Sequence, residues 1–174
     1  SKNILVTFHP VTLENNTSKE QFQELINSID DLENTNIIFT KTNSDPDGKI
    51  INSMIDDYTF NNSNKSIGIA SLGQLNYLSA LQYIDFIIGN SSSGLTEAPS
   101  FKIGTINIGD RQRGRINAKS VVNCLPIKKS IKAAINKIYS NEFQKLLENV
   151  KNPYGDGYAS KKVLNVLKSI NLEG

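Results

Sequence analysis

The sequence predicts an α/β fold, a Rossmann-like parallel sheet with helices on both faces. Three observations lead there. Along the 174 residues, hydrophobic spacing switches back and forth between strand-like runs and helical stripes. The strand-like runs are almost continuously apolar, as strands are when both faces are buried. And nearly every polar or unusual group falls just after one of those runs, on the rim where open parallel sheets bind ligands.

The elements follow in order. Asn3 to Phe8 (NILVTF) is a short branched-rich run, read as the first strand. Thr17 and Glu20 have the spacing of a capping box, with Thr17 at the N-cap. Behind them Phe22, Leu25, Ile26 and Ile29 recur at helical spacing. Asn36 to Thr40 is a second strand. The run from Asn43 to Gly48 (NSDPDG) is a dense turn signal, and Ile50, Ile51, Met54, Ile55 and Tyr58 mark the helix after it. Ser66 to Ala70 reads as a third strand, Gln74 to Gln82 as a helix, and Asp85 to Gly89 as a fourth strand. A serine-rich turn leads into a short helix from about Leu95 to Phe101. Gly104 to Ile108 is a fifth strand and Ser120 to Asn123 a sixth. The tail, from 128 to 170, is helical. Ile131, Ala134, Ile135 and Ile138 form one stripe, and Phe143, Leu146, Leu147 and Val150 another. After the break at Tyr154 to Gly157, Val163, Leu167 and Ile170 mark a last helix. Right-handed crossovers make this one doubly wound domain over 1–174.

Bulk properties narrow the function. A formal charge of +2, not blocked into runs, argues against a nucleic-acid surface. No apolar run approaches bilayer-spanning length and no signal peptide opens the chain, so the expectation is a cytoplasmic protein with no membrane partner. The single cysteine, Cys124, follows Val121 and Val122 and reads as a small core residue. No metal or cofactor is expected.

The sharpest chemical signal is Asn90-Ser91-Ser92-Ser93-Gly94 after the fourth strand. Small residues turn the chain into a helix start, where backbone amides point outward and favour an anion. Ser91, Ser92 and Ser93 add hydroxyl donors, and Gly94 permits close approach. A diphosphate fits that environment, although the run is neither a Walker A loop nor G-x-G-x-x-G. The alternative is a plain serine N-cap. Glu97 follows in the same helix and suits a ribose diol, or else simply complements the helix dipole. His9 is the sole histidine; it ends a strand before Pro10 and is a candidate anion ligand or acid/base group, or a packed residue. Of Arg111, Arg113 and Arg115, Arg111 lies nearest its strand and is the first candidate for a phosphate clamp. Ser71 and Leu72 follow the third strand, where their backbone can read a base edge. Tyr77 offers a ring to a base, or core packing.

Five ordered blocks, TFHPVTLE, TKTNSDPDG, SLGQLNYLSAL, GNSSSGLTEAPSFKIGTINIGDRQRGR and YGDGYA, resemble the C-terminal half of the UDP-N-acetylglucosamine 2-epimerases over nearly the whole chain. GNSSSG, RQRGR and YGDG are similar to the hydrolysing branch, which releases UDP and N-acetylmannosamine for sialic-acid-type sugars in bacterial cell-surface polysaccharides. The resemblance implies the C-terminal domain of a GT-B fold, without the N-terminal domain that carries the family's acid/base carboxylates. It implies UDP on Ser91, Ser92, Ser93, Gly94 and Glu97, uracil near Ser71, Leu72 and Tyr77, and His9 and Arg111 assisting at the diphosphate or sugar. The expected partners are UDP or a UDP-N-acetylhexosamine, the N-terminal domain of the same protein, and a second copy in a homodimer. The chain alone is expected to bind UDP weakly and to turn over nothing. The alternatives are the donor-binding domain of a GT-B glycosyltransferase and a non-enzymatic nucleotide-sugar-binding domain.

Overall fold

The computed structural model describes residues 1–11, 17–42, 46–155 and 157–170. The strands are β1 (Lys2–Thr7), β2 (Thr35–Thr40), β3 (Ser66–Ile69), β4 (Phe86–Gly89), β5 (Gly104–Ile108) and β6 (Val121–Cys124). They form one sheet in the order β3-β2-β1-β4-β5-β6, and every neighbouring pair is parallel. The helices are α1 (Ser18–Ile29), α2 (Pro46–Asn61), α3 (Gly73–Leu81), α4 (Ser93–Thr96), α5 (Lys128–Ile138), α6 (Asn141–Glu148) and α7 (Ala159–Ser169), with a 3-10 turn at Ala98–Phe101.

Strand alternation sorts the apolar residues onto two faces. Ile4, Val6, Ile37, Phe39, Phe86, Ile88, Ile106 and Ile108 pack with α1, α2, α5 and α6 in the larger core. Leu5 and Ile87 point the other way, into a smaller cluster with Leu81, Ile84 and Ala98. Phe22 joins Phe8 and Phe39 in a run of aromatic contacts at 5.6 and 6.4 Å between ring centres. Both faces of the central strands are therefore dry, which is why their sequences are continuously apolar.

Two sequence expectations change, and a third element forms with an unexpected exposure. Thr17 does precede α1, but it sits at φ −87°, ψ −8° and makes no side-chain cap. A capping hydroxyl needs the extended backbone of a true N-cap to swing over the helix start; in the helical region the Thr17 hydroxyl instead accepts from the Gln21 amide at 3.0 Å. The helix expected from Leu95 to Phe101 starts two residues earlier and divides at Glu97. Pro99 has no N–H to donate to Leu95, so the α-ladder stops and Ser100 N–H bonds Glu97 C=O at 3.0 Å. The last helix forms, but none of its residues is buried: Val163, Leu164, Val166, Leu167 and Ile170 are all exposed. The turn residues Asn43, Ser44 and Asp45, and Asp156 of the YGDG block, lie outside the described residues.

Candidate functional site

The strand order reverses between β1 and β4, and a crevice lies at the C-terminal ends of the strands on that side of the sheet. Into it β1 delivers His9, the turn after β4 delivers Ser91 and Ser93, and the end of α4 delivers Glu97. The loop after β3 adds Ser71 and Leu72, and α3 adds Tyr77. All seven line one cavity of about 500 Å³. Their separation in sequence, from 9 to 97, is closed by the parallel register and by side-chain hydrogen bonds between the strand tips.

Two asparagines hold the strand tips. Asn90 is 1% exposed. Its Oδ1 accepts from the His9 N–H at 2.7 Å, and its Nδ2 donates to the His9 C=O at 2.8 Å. Asn52, on α2, makes the same pair of bonds to Thr42, at 2.9 and 3.1 Å. Thr42 Oγ1 in turn meets His9 Nδ1 at 2.9 Å, so the imidazole is oriented from β2 and its backbone from β4. Asn52 carries no periodic or motif signal, and Asn90 lies in the serine-rich motif without being singled out by it. Asn90 was visible in the sequence only as the polar residue wedged between a strand and the serines.

In the turn itself the Ser91 and Ser93 hydroxyls lie 3.0 Å apart. Ser92 is not among the residues that line the cavity, and its carbonyl takes the Leu95 and Thr96 amides. Among the described residues, no backbone carbonyl accepts from the amides of Ser91, Ser92 or Gly94. Gly94 is buried, and a Cβ there would stand 2.5 Å from Thr105 Cγ2. The glycine is thus explained by α4 closing on β5, not by room for a ligand.

Glu97 sits where α4 gives way to the 3-10 turn, so no long helix backs it. Burial holds its carboxyl above the usual range. Burial also pushes the Tyr77 phenol up to about 12; the Ser93 hydroxyl opposes that shift and the Glu97 charge adds to it. The Tyr77 oxygen is buried and makes no hydrogen bond of normal geometry.

Arg111 lies outside the lining of this cavity. Its Nη1 donates to the Asn90 C=O at 3.0 Å, beside Gln112 Nε2 at 2.7 Å on the same oxygen. Partial burial and then Arg115 lower its pKa. Arg113 projects into solvent and meets Asp110 at 3.9 Å. A second cavity, of about 530 Å³, opens at the ends of β5 and β6 and is lined by Gln112, Arg113, Arg115 and Cys124. Among the described residues, no three His, Cys, Asp or Glu stand close enough to hold a metal ion, and no helix is long and apolar enough to cross a membrane.

A crevice lined by two serine hydroxyls and a carboxylate, with a guanidinium behind the turn, suits a phosphorylated nucleoside. A family model described as UDP-N-acetylglucosamine 2-epimerase matches residues 1–168. A GDP/UDP-N,N'-diacetylbacillosamine 2-epimerase (hydrolyzing) of Campylobacter jejuni is 38% identical over 170 residues, which is 97% of this chain and 44% of that protein. A polysialic acid biosynthesis protein of Escherichia coli is 35% identical over 165 residues, 94% of this chain and 42% of that one. Among solved structures, an S. aureus MnaA–UDP co-structure superposes with a TM-score of 0.74 at 20% identity, over 96% of this chain and 44% of that one; this is a likeness of fold. The chain spans less than half the length of the curated relatives it matches.

Proposed function

The chain belongs to the UDP-N-acetylglucosamine 2-epimerase family and has a Rossmann-like fold of the GT-B kind, and from that premise we propose that it is the UDP-binding C-terminal half of a hydrolysing 2-epimerase. One observation carries the reading: His9, Ser71, Leu72, Tyr77, Ser91, Ser93 and Glu97, chosen from sequence, converge on one crevice at the strand-order reversal.

In this reading the Ser91 and Ser93 hydroxyls and the open amides of the turn hold the diphosphate. Glu97 accepts the two ribose hydroxyls, and the base lies over Leu72 and Tyr77. The reaction of the whole protein removes the proton at sugar C2 and breaks the C1–O bond, with UDP leaving and a 2-acetamidoglucal remaining. Water then adds across the double bond, giving N-acetylmannosamine. Negative charge grows on the diphosphate as the C1–O bond breaks. Donors fixed at that charge lower the barrier more than they tighten the ground state. Arg111 supplies a fixed positive charge behind the turn, and His9 faces the crevice as an assisting donor. The carboxylates that move the C2 proton are assigned to an N-terminal domain of the same protein, in a cytoplasmic enzyme that pairs as a homodimer.

Calorimetry with UDP, GDP and AMP tests binding by the chain. Weak saturable binding of UDP, with AMP inert, supports the site. No heat with any of them at millimolar concentration refutes it. Product analysis of the full-length protein tests the reaction, with UDP-N-acetylglucosamine and UDP-N,N'-diacetylbacillosamine supplied separately. Release of UDP with a C2-inverted free sugar is the expected result. Transfer of the sugar to an acceptor with no C2 inversion moves the protein to a different enzyme class.

A further inference from the structure

We propose that Asn90 is the positioning residue of this site: it holds the His9 tip, the serine turn and the Arg111 side chain in the one arrangement that receives a diphosphate. The inference rests on the nucleotide reading of the crevice, and nothing in the family likeness assigns the residue a role.

The geometry is specific to an asparagine. His9 lies two residues beyond the end of β1, where the sheet offers it no partner strand. The Asn90 side chain supplies the missing rung, one acceptor and one donor, to both polar groups of the His9 backbone. Its own N–H completes the ladder to Thr7 C=O at 3.1 Å. Its backbone carbonyl oxygen, which any residue at this position would offer, has two lone pairs, and these take Arg111 and Gln112. Asn90 therefore ties β1, the turn after β4 and the loop after β5 together while touching no ligand itself. Gly89 makes this reach possible. It sits at φ +142°, and a Cβ there would fall 1.9 Å from Thr7 O. The chain swings close over β1 at that point and aims the next side chain back at His9.

Replacement by aspartate separates positioning from mere packing. A protonated carboxyl has the amide's shape and the same donor and acceptor. An ionised one has no donor, and it sets a negative charge against the His9 carbonyl. Position 90 is faced by the His9 residue from the β1 side, through its backbone, and by the Arg111 guanidinium from the β5 side, so each variant's affinity is divided by that of the parent at the same pH.

The experiment measures UDP affinity by NMR titration from pH 5.5 to 8 for the chain and for Asn90→Asp. It also follows the single histidine ring signal, which is unambiguous because His9 is the only histidine. The expected result is binding at least tenfold weaker at pH 8. That deficit should narrow at least threefold by pH 5.5 as the His9 signal returns toward its parental position. Asn90→Ser, which cannot regain both bonds, should be weaker throughout with no such narrowing, and it serves if the aspartate variant unfolds at high pH. Parental affinity in both variants, or a deficit in Asn90→Asp that ignores pH, overturns the proposal and leaves the nucleotide reading standing. Absence of UDP binding by the parent chain removes the nucleotide reading, and this inference with it.

Discussion

Thr105 and Gly94 are locked face to face: the Thr105 hydroxyl donates to the Gly94 carbonyl at 2.8 Å, while its methyl fills the space a Cβ at 94 would need. Thr105 is 2% exposed, so the bond is made in the dry interior. This contact seats the one-turn helix α4 on β5 and sets the height of the serine turn above the sheet.

Gly94→Ala should therefore destabilise the domain by roughly 1–3 kcal/mol through overpacking. Adding Thr105→Ser, which keeps the hydroxyl and deletes the methyl, should recover most of that loss. Urea denaturation of the two single variants and the double variant checks it. Equal and additive costs would show that the two side chains do not share the space.

Glu97 should make UDP binding proton-linked. Burial raises its carboxyl pKa, so part of the population is protonated at mildly acidic pH. Ribose hydroxyls donate to the ionised form, so binding pulls that pKa back down and expels a proton. Calorimetry near pH 5 in buffers of different ionisation heat should register the release, and near pH 8 it should vanish. Glu97→Gln should lose the release and bind more weakly at both values.

The serine turn should matter to affinity and not to folding. Ser91 and Ser93 are partly exposed, and among the described residues their hydroxyls bond chiefly to one another. Removing a hydroxyl that donates to a charged phosphate costs about 1.5 kcal/mol, or roughly tenfold in Kd. Ser91→Ala and Ser93→Ala should each show a loss of that order with an unchanged melting temperature. Ser92→Ala, off the cavity lining, should lose less.

Cys124 should be slow to alkylate. Burial pushes its thiol up to about 12, so at pH 8 almost none is thiolate. Iodoacetamide should modify the folded chain far more slowly than the same chain in guanidinium. A fast reaction in the native state would place the thiol in a different environment.

Much of this fold is legible in the sequence because burial on both faces writes itself into composition. Ile4 to Val6 and Phe86 to Ile88 have no polar alternation because no side of them meets water, whereas Gly104 to Ile108 alternates with Thr105 and Asn107 although both are buried. The boundaries follow to within about two residues, since strand ends depend on which carbonyl finds a partner. The break at Glu97 was written as Pro99 but masked by the helical spacing around it. The failed cap at Thr17 was not legible at all: the spacing of Thr17 and Glu20 was right, and only backbone angles decide whether a hydroxyl reaches.

The sequence by itself determined the alternation of strands and helices, the chemistry carried by each loop and the likeness to a family. These are local properties, set by hydrophobic period and by which residues follow a strand. Only the tertiary structure decided which of those loops meet. It brought His9 and Ser91 to one crevice, turned Arg111 onto a carbonyl behind it, and gave Gly94 to Thr105. The physical reason is that parallel register and hydrogen-bonded side chains such as Asn90 act between residues some 80 positions apart, and no spacing along the chain records them.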